Sequence, residues 1–286
     1  MPRKALITGA TGFVGSHLVR RLADDGWSVD ALVRRDDADL PSGVRARRDP
    51  GDVDGLIALV AELRPEVCFH LATEFRGVHV PADIAPMIEG NIHFGNRLAQ
   101  AVSSAGGCLF VNLGTVWQHF DAAPYNPVSL YAATKQAFAD LLVFYAEVEA
   151  LPVVTLELTD TYGPNDPRAK LVPLLARAVH DGTTLEMTDG TQLIDLIYVD
   201  DAVEAIVATA EAGSGSTFGA TSGAHVDLRG LVAAVERAAG QTVDVRWGVR
   251  PSRPREMLTD WTVSSPPPGW RPKVDLDEGL RRVLAV

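Results

Sequence analysis

The stretch Thr8-Gly9-Ala10-Thr11-Gly12-Phe13-Val14-Gly15 constrains the fold more than any other in the chain. It follows an apolar run, Lys4 to Thr8, and opens a segment of helical spacing, Gly12 to Asp25, with Val14, Leu18 and Leu22 on one face. Its glycines fall as GxxGxxG. Such a turn needs positive φ or a close backbone approach, which only glycine supplies without a steric cost. The helix that follows offers unpaired N–H groups and a positive dipole end to an anion such as a pyrophosphate. A strand, a glycine turn and a helix in that order predict an α/β sheet with a dinucleotide site at the carboxyl ends of its strands. Gly9, Thr11, Gly12, Phe13, Val14 and Gly15 are the expected cofactor contacts.

The first half of the chain continues the alternation. Strands are expected at Ser28 to Val33, Val44 to Arg48, Val67 to Leu71, Leu109 to Leu113 and Val153 to Leu158. Helices are expected at Leu56 to Leu63, Ile84 to Ala105 and Ser129 to Glu149. On the last helix Leu130, Ala137, Leu141, Phe144 and Val148 are read as the buried side. Phe94, Leu98, Phe138, Leu142 and Tyr145 are read as a second apolar face. Repeated βαβ units imply a parallel sheet with helices on both faces. After Tyr162-Gly163-Pro164 the pattern changes to helices mixed with short strands and proline-rich loops. The expected division is a dinucleotide-binding domain at 1–160, to which 195–212 returns, and a smaller mixed α/β lobe at 161–194 and 213–286.

The end of the second strand bears on cofactor choice. A carboxylate there accepts from both ribose hydroxyls and favours NAD. Position 33 is valine, followed by Arg34 and Arg35, which suit a 2′-phosphate and hence NADP(H). Arg45, Arg47 and Arg48 complete a basic cluster, and Asp49 is placed to meet the adenine edge. Tyr131 and Lys135 stand at i, i+4 near the start of the long helix, on one face. A nearby ammonium lowers a phenol's pKa, so Tyr131 is read as the acid–base group at a carbonyl or carbinol oxygen.

As a set, the glycine turn, His70-Leu71-Ala72, Asn91, Tyr131 with Lys135, Tyr162-Gly163-Pro164 and Tyr198-Val199-Asp200-Asp201 resemble the extended short-chain dehydrogenase/reductases. Gly114-Thr115-Val116-Trp117-Gln118-His119, the run Tyr125 to Phe138 and the run Asp160 to Arg168 resemble the CDP-abequose and CDP-paratose synthases and related 4-ketoreductases. The resemblance implies a Rossmann-type doubly wound sheet and a nucleotide-linked 4-keto-6-deoxyhexose reduced with NADPH. It implies cofactor contacts at Leu71, Ala72, Thr73, Asn91 and Leu158 as well, and a homodimer paired through the two long helices.

The chain departs from that pattern in four places. The usual catalytic Ser or Thr falls on Leu113, so Thr115, two residues on along an extended chain, is expected to orient the carbonyl, with Asn112 as the alternative. No carboxylate pair of the dehydratase kind flanks Thr115. Glu157 and Ile194 stand where two arginines are usual. Substrate contacts are then expected from Thr115, Trp117, Asp160, Lys170, Arg253 and Arg255. The rival readings are an epimerase that retains its cofactor and a non-enzymatic dinucleotide sensor.

Composition narrows the partners. With 26 basic and 37 acidic residues the net charge is −11, a poor match for nucleic acid or anionic lipid. Cys68 and Cys108 sit in apolar runs and make no disulfide framework, which suits a reducing compartment. No apolar run reaches membrane-spanning length, no signal peptide is recognisable, and the seven histidines lack metal-ligand spacing. A cytoplasmic protein without a metal is the expectation.

Overall fold

The computed structural model describes residues 2–35, 38–258 and 264–285. Its larger sheet is built from β1 (Lys4–Thr8), β2 (Ser28–Val33), β3 (Arg45–Arg48), β4 (Val67–His70), β5 (Leu109–Thr115) and β6 (Val153–Leu158). Between them run α1 (Phe13–Asp24), α2 (Val53–Leu63), α3 (Ile84–Ile88), α4 (Phe94–Ser104) and α5 (Leu130–Glu147). Then follow β7 (Asp160–Tyr162), α6 (Leu171–Asp181), β8 (Leu185–Glu186), β9 (Leu193–Tyr198), α7 (Val199–Ala212), β10 (Thr217–Ala220), β11 (His225–Asp227), α8 (Leu228–Ala239), β12 (Val245–Arg246) and α9 (Leu276–Leu284).

Seven strands pair in the order β10-β6-β5-β4-β1-β2-β3, all parallel. This is the doubly wound Rossmann-type order. Side chains alternate across the sheet, so Ala5 and Ile7 of β1 pack on one layer and Leu6 on the other. The first layer holds Leu18, Val19 and Leu22 of α1 with Ala202, Val203 and Ile206 of α7. The second holds Leu56 and Val60 of α2, Leu98 of α4, and Phe138 and Leu142 of α5. The strand order reverses between β1 and β4, and the crevice beyond their carboxyl ends is where such sheets bind ligands.

The smaller lobe has its own core of Val172, Leu175, Tyr198, Leu231 and Val235, joined by Tyr162 and by Phe13 of α1. Its strands form a sheet ordered β11-β9-β7 and a β12-β8 pair. One segment differs from expectation. Thr217–Ala220, read with the smaller lobe, is β10, the edge strand of the large sheet beside β6. Four residues carry no periodicity long enough to reveal such a return.

The long helix is also turned relative to its reading. Tyr131, Phe138, Leu142 and Tyr145 are buried, whereas Leu141, Phe144 and Val148 are 37%, 51% and 65% exposed. Both faces of α5 are apolar, so periodicity located two stripes without saying which one meets the sheet. Cys68 is buried, Cys108 is half-buried, and neither is bridged. Among the described residues no helix is long and apolar enough to cross a membrane.

Candidate active site

The glycine turn is packed directly against the end of β4. Gly9 has φ +72°, and a Cβ there would lie 2.7 Å from both Ala72 N and Leu71 C. A Cβ on Gly15 would lie 2.0 Å from Gly9 O. The contacts are backbone and cannot yield, so both positions demand glycine. The Thr8 hydroxyl stitches the two strand ends together. It accepts from the Ala72 N–H at 3.1 Å and lies 2.9 Å from His70 Nδ1. Burial, with the Lys135 charge, pulls His70 down to about 3, so this imidazole is neutral.

A cleft of about 730 Å³ opens over these ends. Gly9, Thr11, Gly12, Phe13, Val14, Gly15, Arg34, Asp49, Leu71, Ala72, Thr73 and Leu158 all line it, with Thr115, Tyr131 and Lys135. The free N-terminus of α1, the absent Cβ atoms and the cleft's length along both strand ends suit a dinucleotide. A second hollow of about 450 Å³ adjoins it and holds Arg253 and Arg255. Trp117, Asp160 and Lys170 line both.

Two expected cofactor residues are not among the lining groups. Arg35 is one. Asn91 is the other, and its surroundings explain why. Ile84 to Ser104 is a helix interrupted by a π turn at Glu89–His93, a device common near functional sites. Asn91 lies in that turn, 1% exposed. Its Oδ1 accepts from Thr73 Oγ1 (2.9 Å) and Glu74 N (2.7 Å), and its Nδ2 donates to Glu74 O (3.0 Å) and Thr134 Oγ1 (2.9 Å). Asn91 therefore clamps the loop after β4 to α5 and positions Thr73 rather than facing the cleft. The basic cluster is likewise broken up. Arg45 and Arg47 both donate to the buried carboxylate of Asp30, leaving Arg34 as the arginine from the second strand's end that lines the cleft.

Thr115 is placed by alternation. Leu113 and Thr115 both line the cleft, while Asn112 is fully buried and donates to Thr155 Oγ1. The Thr115 N–H donates to Gln118 Oε1 at 3.0 Å, and its hydroxyl accepts from Trp117 N. That hydroxyl proton remains available to a carbonyl oxygen.

Tyr131 differs from the expected electrostatics. Burial pushes its phenol up to about 12, and Asp160 pushes in the same direction. The Thr73 hydroxyl and Arg168 oppose that rise, and Lys135 is not among the causes. Sharing a helix face puts two side chains near each other without making one dominate the other's field; the Lys135 charge bears on His70. Lys135, 3% exposed, is pulled down to about 8 by burial. A phenol at about 12 keeps its proton at neutral pH, the state required of a proton donor.

The three cations expected to contact substrate already have partners. Lys170 Nζ is 2.5 Å from Asp160 Oδ1 and 4.6 Å above the Phe75 ring. Arg253 pairs with buried Glu256 at 3.1 Å and lies over Trp117. Arg255 donates to Asn126 Oδ1 and the Pro127 carbonyl, both at 2.6 Å. Arg250, missed in the sequence, lines the same hollow with no partner for its guanidinium among the described residues. Phe75, Arg97 and Arg168 were missed as well. Phe75 packs edge-on to Tyr131 at 4.9 Å, Arg97 Nη2 reaches Asp49 Oδ2 at 3.3 Å, and Arg168 lies over the Phe13 ring. A turn that brings distant segments together leaves no local signal for such residues. Of the other tryptophans, Trp270 donates to Asp201 O and Trp247 packs on the smaller lobe's core, while Trp261 lies outside the described residues.

Comparison with known proteins agrees with this geometry. The NAD dependent epimerase/dehydratase family matches residues 5–219. The UDP-glucose 4-epimerase of Mycolicibacterium smegmatis is 32% identical, over 98% of this chain and 97% of its own. The CDP-abequose synthase of Salmonella typhimurium is 25% identical, over 98% and 96%. Among solved structures, the Thermus thermophilus UDP-glucose 4-epimerase in complex with NAD superposes with a TM-score of 0.86 at 29% identity, over 99% and 98% of the two chains.

Proposed function

The chain belongs to the NAD dependent epimerase/dehydratase family, and from that premise we propose that it is a nucleotide-sugar 4-ketoreductase that uses NADPH. Relatives named for UDP-glucose and CDP-abequose support a nucleotide-sugar substrate. The observation that carries the reductase reading is the end of β2. Val33 and Arg34 line the cleft there, and the strand's one carboxylate, Asp30, is spent on Arg45 and Arg47. A site without the ribose-binding carboxylate suits a cofactor that is exchanged as NADPH and NADP.

A bound nicotinamide supplies the hydride for the C4 carbonyl. Tyr131 gives its phenolic proton to the C4 oxygen as negative charge develops there. Thr115 donates a hydrogen bond to the same oxygen, and Leu113 fills the wall beside it. Lys135, one helical turn beyond Tyr131, holds the cofactor ribose. Gly114-Thr115 stands where dehydratases carry a carboxylate pair, which argues against dehydration of the sugar. Arg250, with no partner for its guanidinium among the described residues, is the cation that meets the diphosphate, and Lys170 and Arg253 beside it would have to exchange Asp160 and Glu256 for it.

The test is oxidation of NADPH against a panel of 4-keto-6-deoxy sugar nucleotides, with CDP and dTDP as the bases. Turnover on at least one is expected. The relative at 32% identity favours a second reading, a 4-epimerase. Purified protein carrying tightly held NAD, with interconversion of UDP-hexoses and no net NADPH oxidation, would establish that reading instead. No turnover on any sugar would favour the dinucleotide sensor. We also propose a homodimer. Its face is the one α5 leaves exposed, Leu141, Phe144 and Val148, beside Ile84 and Ile88 of α3. Phe138, Leu142 and Tyr145 belong to the core.

A further inference from the structure

His119 lies four residues past Thr115, in the loop beneath the cleft. Its Nε2 is 2.8 Å from Glu157 Oε1, and its Nδ1 is 3.1 Å from the Ala123 carbonyl oxygen. A carbonyl oxygen only accepts, and so does an ionised carboxylate, so both ring nitrogens must donate. We propose that His119, as an imidazolium paired with Glu157, is a positioning residue that holds the turn presenting Thr115 and Trp117, and that its deprotonation loosens that turn. The proposal deepens the ketoreductase reading by naming what keeps its carbonyl-orienting hydroxyl in place.

The surroundings show why such a strut is needed. Glu157 of β6 pairs with Gly114 of β5, and a Cβ on Gly114 would lie 3.0 Å from Glu157 Cγ. The Glu157 side chain thus packs closely on Gly114, under the catalytic strand's end. Its second oxygen accepts from Ser264 at 3.2 Å, so three separate segments meet on it. The loop itself is strained. Asp121 and Ala122 adopt φ of 56° and 54°, and two successive non-glycine residues there persist only when the surroundings hold them. The His119 bond to Ala123 O closes that strained stretch. Phe120 N donates to Asn126 O at 2.9 Å and Asn126 N to Gln118 O at 2.8 Å, carrying the constraint back to the turn.

Other charged groups near the loop do not replace the pair. Arg255 holds Asn126 and Pro127 and lies over Phe120. Asp140 of α5 accepts from Gln136, which in turn accepts from Gln118. Asp121 is within the loop. Glu157 is the acid that faces the ring. Its hydrogen bond lifts His119 above the ordinary histidine value, with burial opposing and the Ala123 carbonyl helping.

The experiment titrates the intact protein by NMR, following the His119 ring C–H and the Trp117 indole N–H, assigned with His119→Gln and Trp117→Phe. The expected result is a His119 midpoint above about 6.5. The Trp117 resonance should move with the same midpoint in wild type and not in His119→Gln. Glu157→Gln, which keeps the shape, should lower the midpoint by at least one pH unit. On a turned-over substrate, kcat should fall about tenfold as pH rises through that midpoint, with KM for the cofactor unchanged, and His119→Gln should lack the inflection. A midpoint at or below 6.5, or a Trp117 resonance indifferent to it, overturns the proposal. Coupled titration of both residues in a protein that turns over no ketosugar supports the strut and overturns the ketoreductase reading alone.

Discussion

Replacing Arg34 by alanine isolates the group on which the cofactor reading turns. Five arginines surround the end of β2 in the sequence, but Arg45 and Arg47 are bound to Asp30 at 2.6 to 3.0 Å and cannot turn to a ligand without stranding a buried carboxylate. Arg34 lines the cleft and has no partner for its guanidinium among the described residues. Asp36 and Asp37, the acids nearest in sequence, lie outside those residues. A charge-assisted hydrogen bond contributes about 1.5–3 kcal/mol. Arg34 is solvent-exposed, which puts its bond to a 2′-phosphate at the lower end of that range. About 1.4 kcal/mol is a factor of ten, so wild type should prefer NADPH over NADH by at least about tenfold. Arg34→Ala should erase most of that preference by weakening NADPH alone. Raising the salt concentration should shrink it as well, because an exposed pair is screened. Calorimetric titration of both cofactors into both proteins provides the measurement. Equal affinities in wild type, or an unchanged ratio in Arg34→Ala, would refute the reasoning.

Tyr131→Phe removes the proton donor and leaves the ring packed on Phe75, so kcat should fall roughly 10²–10⁴-fold with cofactor affinity nearly constant; a variant above a tenth of wild-type kcat exonerates Tyr131. Thr115→Val should lower kcat at least about tenfold, since losing a donor to developing charge costs on the order of 2.7–4 kcal/mol, whereas Leu113→Ala should act mainly on thermal stability. Lys135→Met should raise the ligand-free Tm at pH 7 while abolishing turnover. The folded-state pKa of Lys135 is lowered to about 8 against about 10.5 unfolded, so charging it costs stability in full below pH 8. Between those values wild type recovers that stability as pH rises, and the gain in the variant should vanish by about pH 10.5; a gain independent of pH contradicts burial as its cause. Phe144→Glu places a charge on the exposed face of α5 and should yield monomers by sedimentation at micromolar concentration without lowering Tm by more than a few degrees.

What the sequence determined on its own is what neighbouring residues decide. The glycine turn, the order of strands and helices around it, and the shared face of Tyr131 and Lys135 all follow from spacings of a few residues. Backbone conformation and helical period act at that range, and the parallel sheet follows from alternation alone. Thr115 was legible for the same reason, since period two puts it on the face of Leu113. The tertiary structure decided what depends on which distant groups arrive. Both stripes of α5 are apolar, and only the docking of the sheet selects Phe138 over Phe144. Arg34 and Arg45 read alike until Asp30, across a strand pairing, takes one of them. Asn91 looks like a ligand contact until the loop after β4 folds onto it. The motif that ends on His119 says nothing of its charge; Glu157, 38 residues away, and the carbonyl of Ala123 give its two protons their acceptors. Charge pairing and burial are long-range in sequence, because a sheet brings together segments that no local pattern connects.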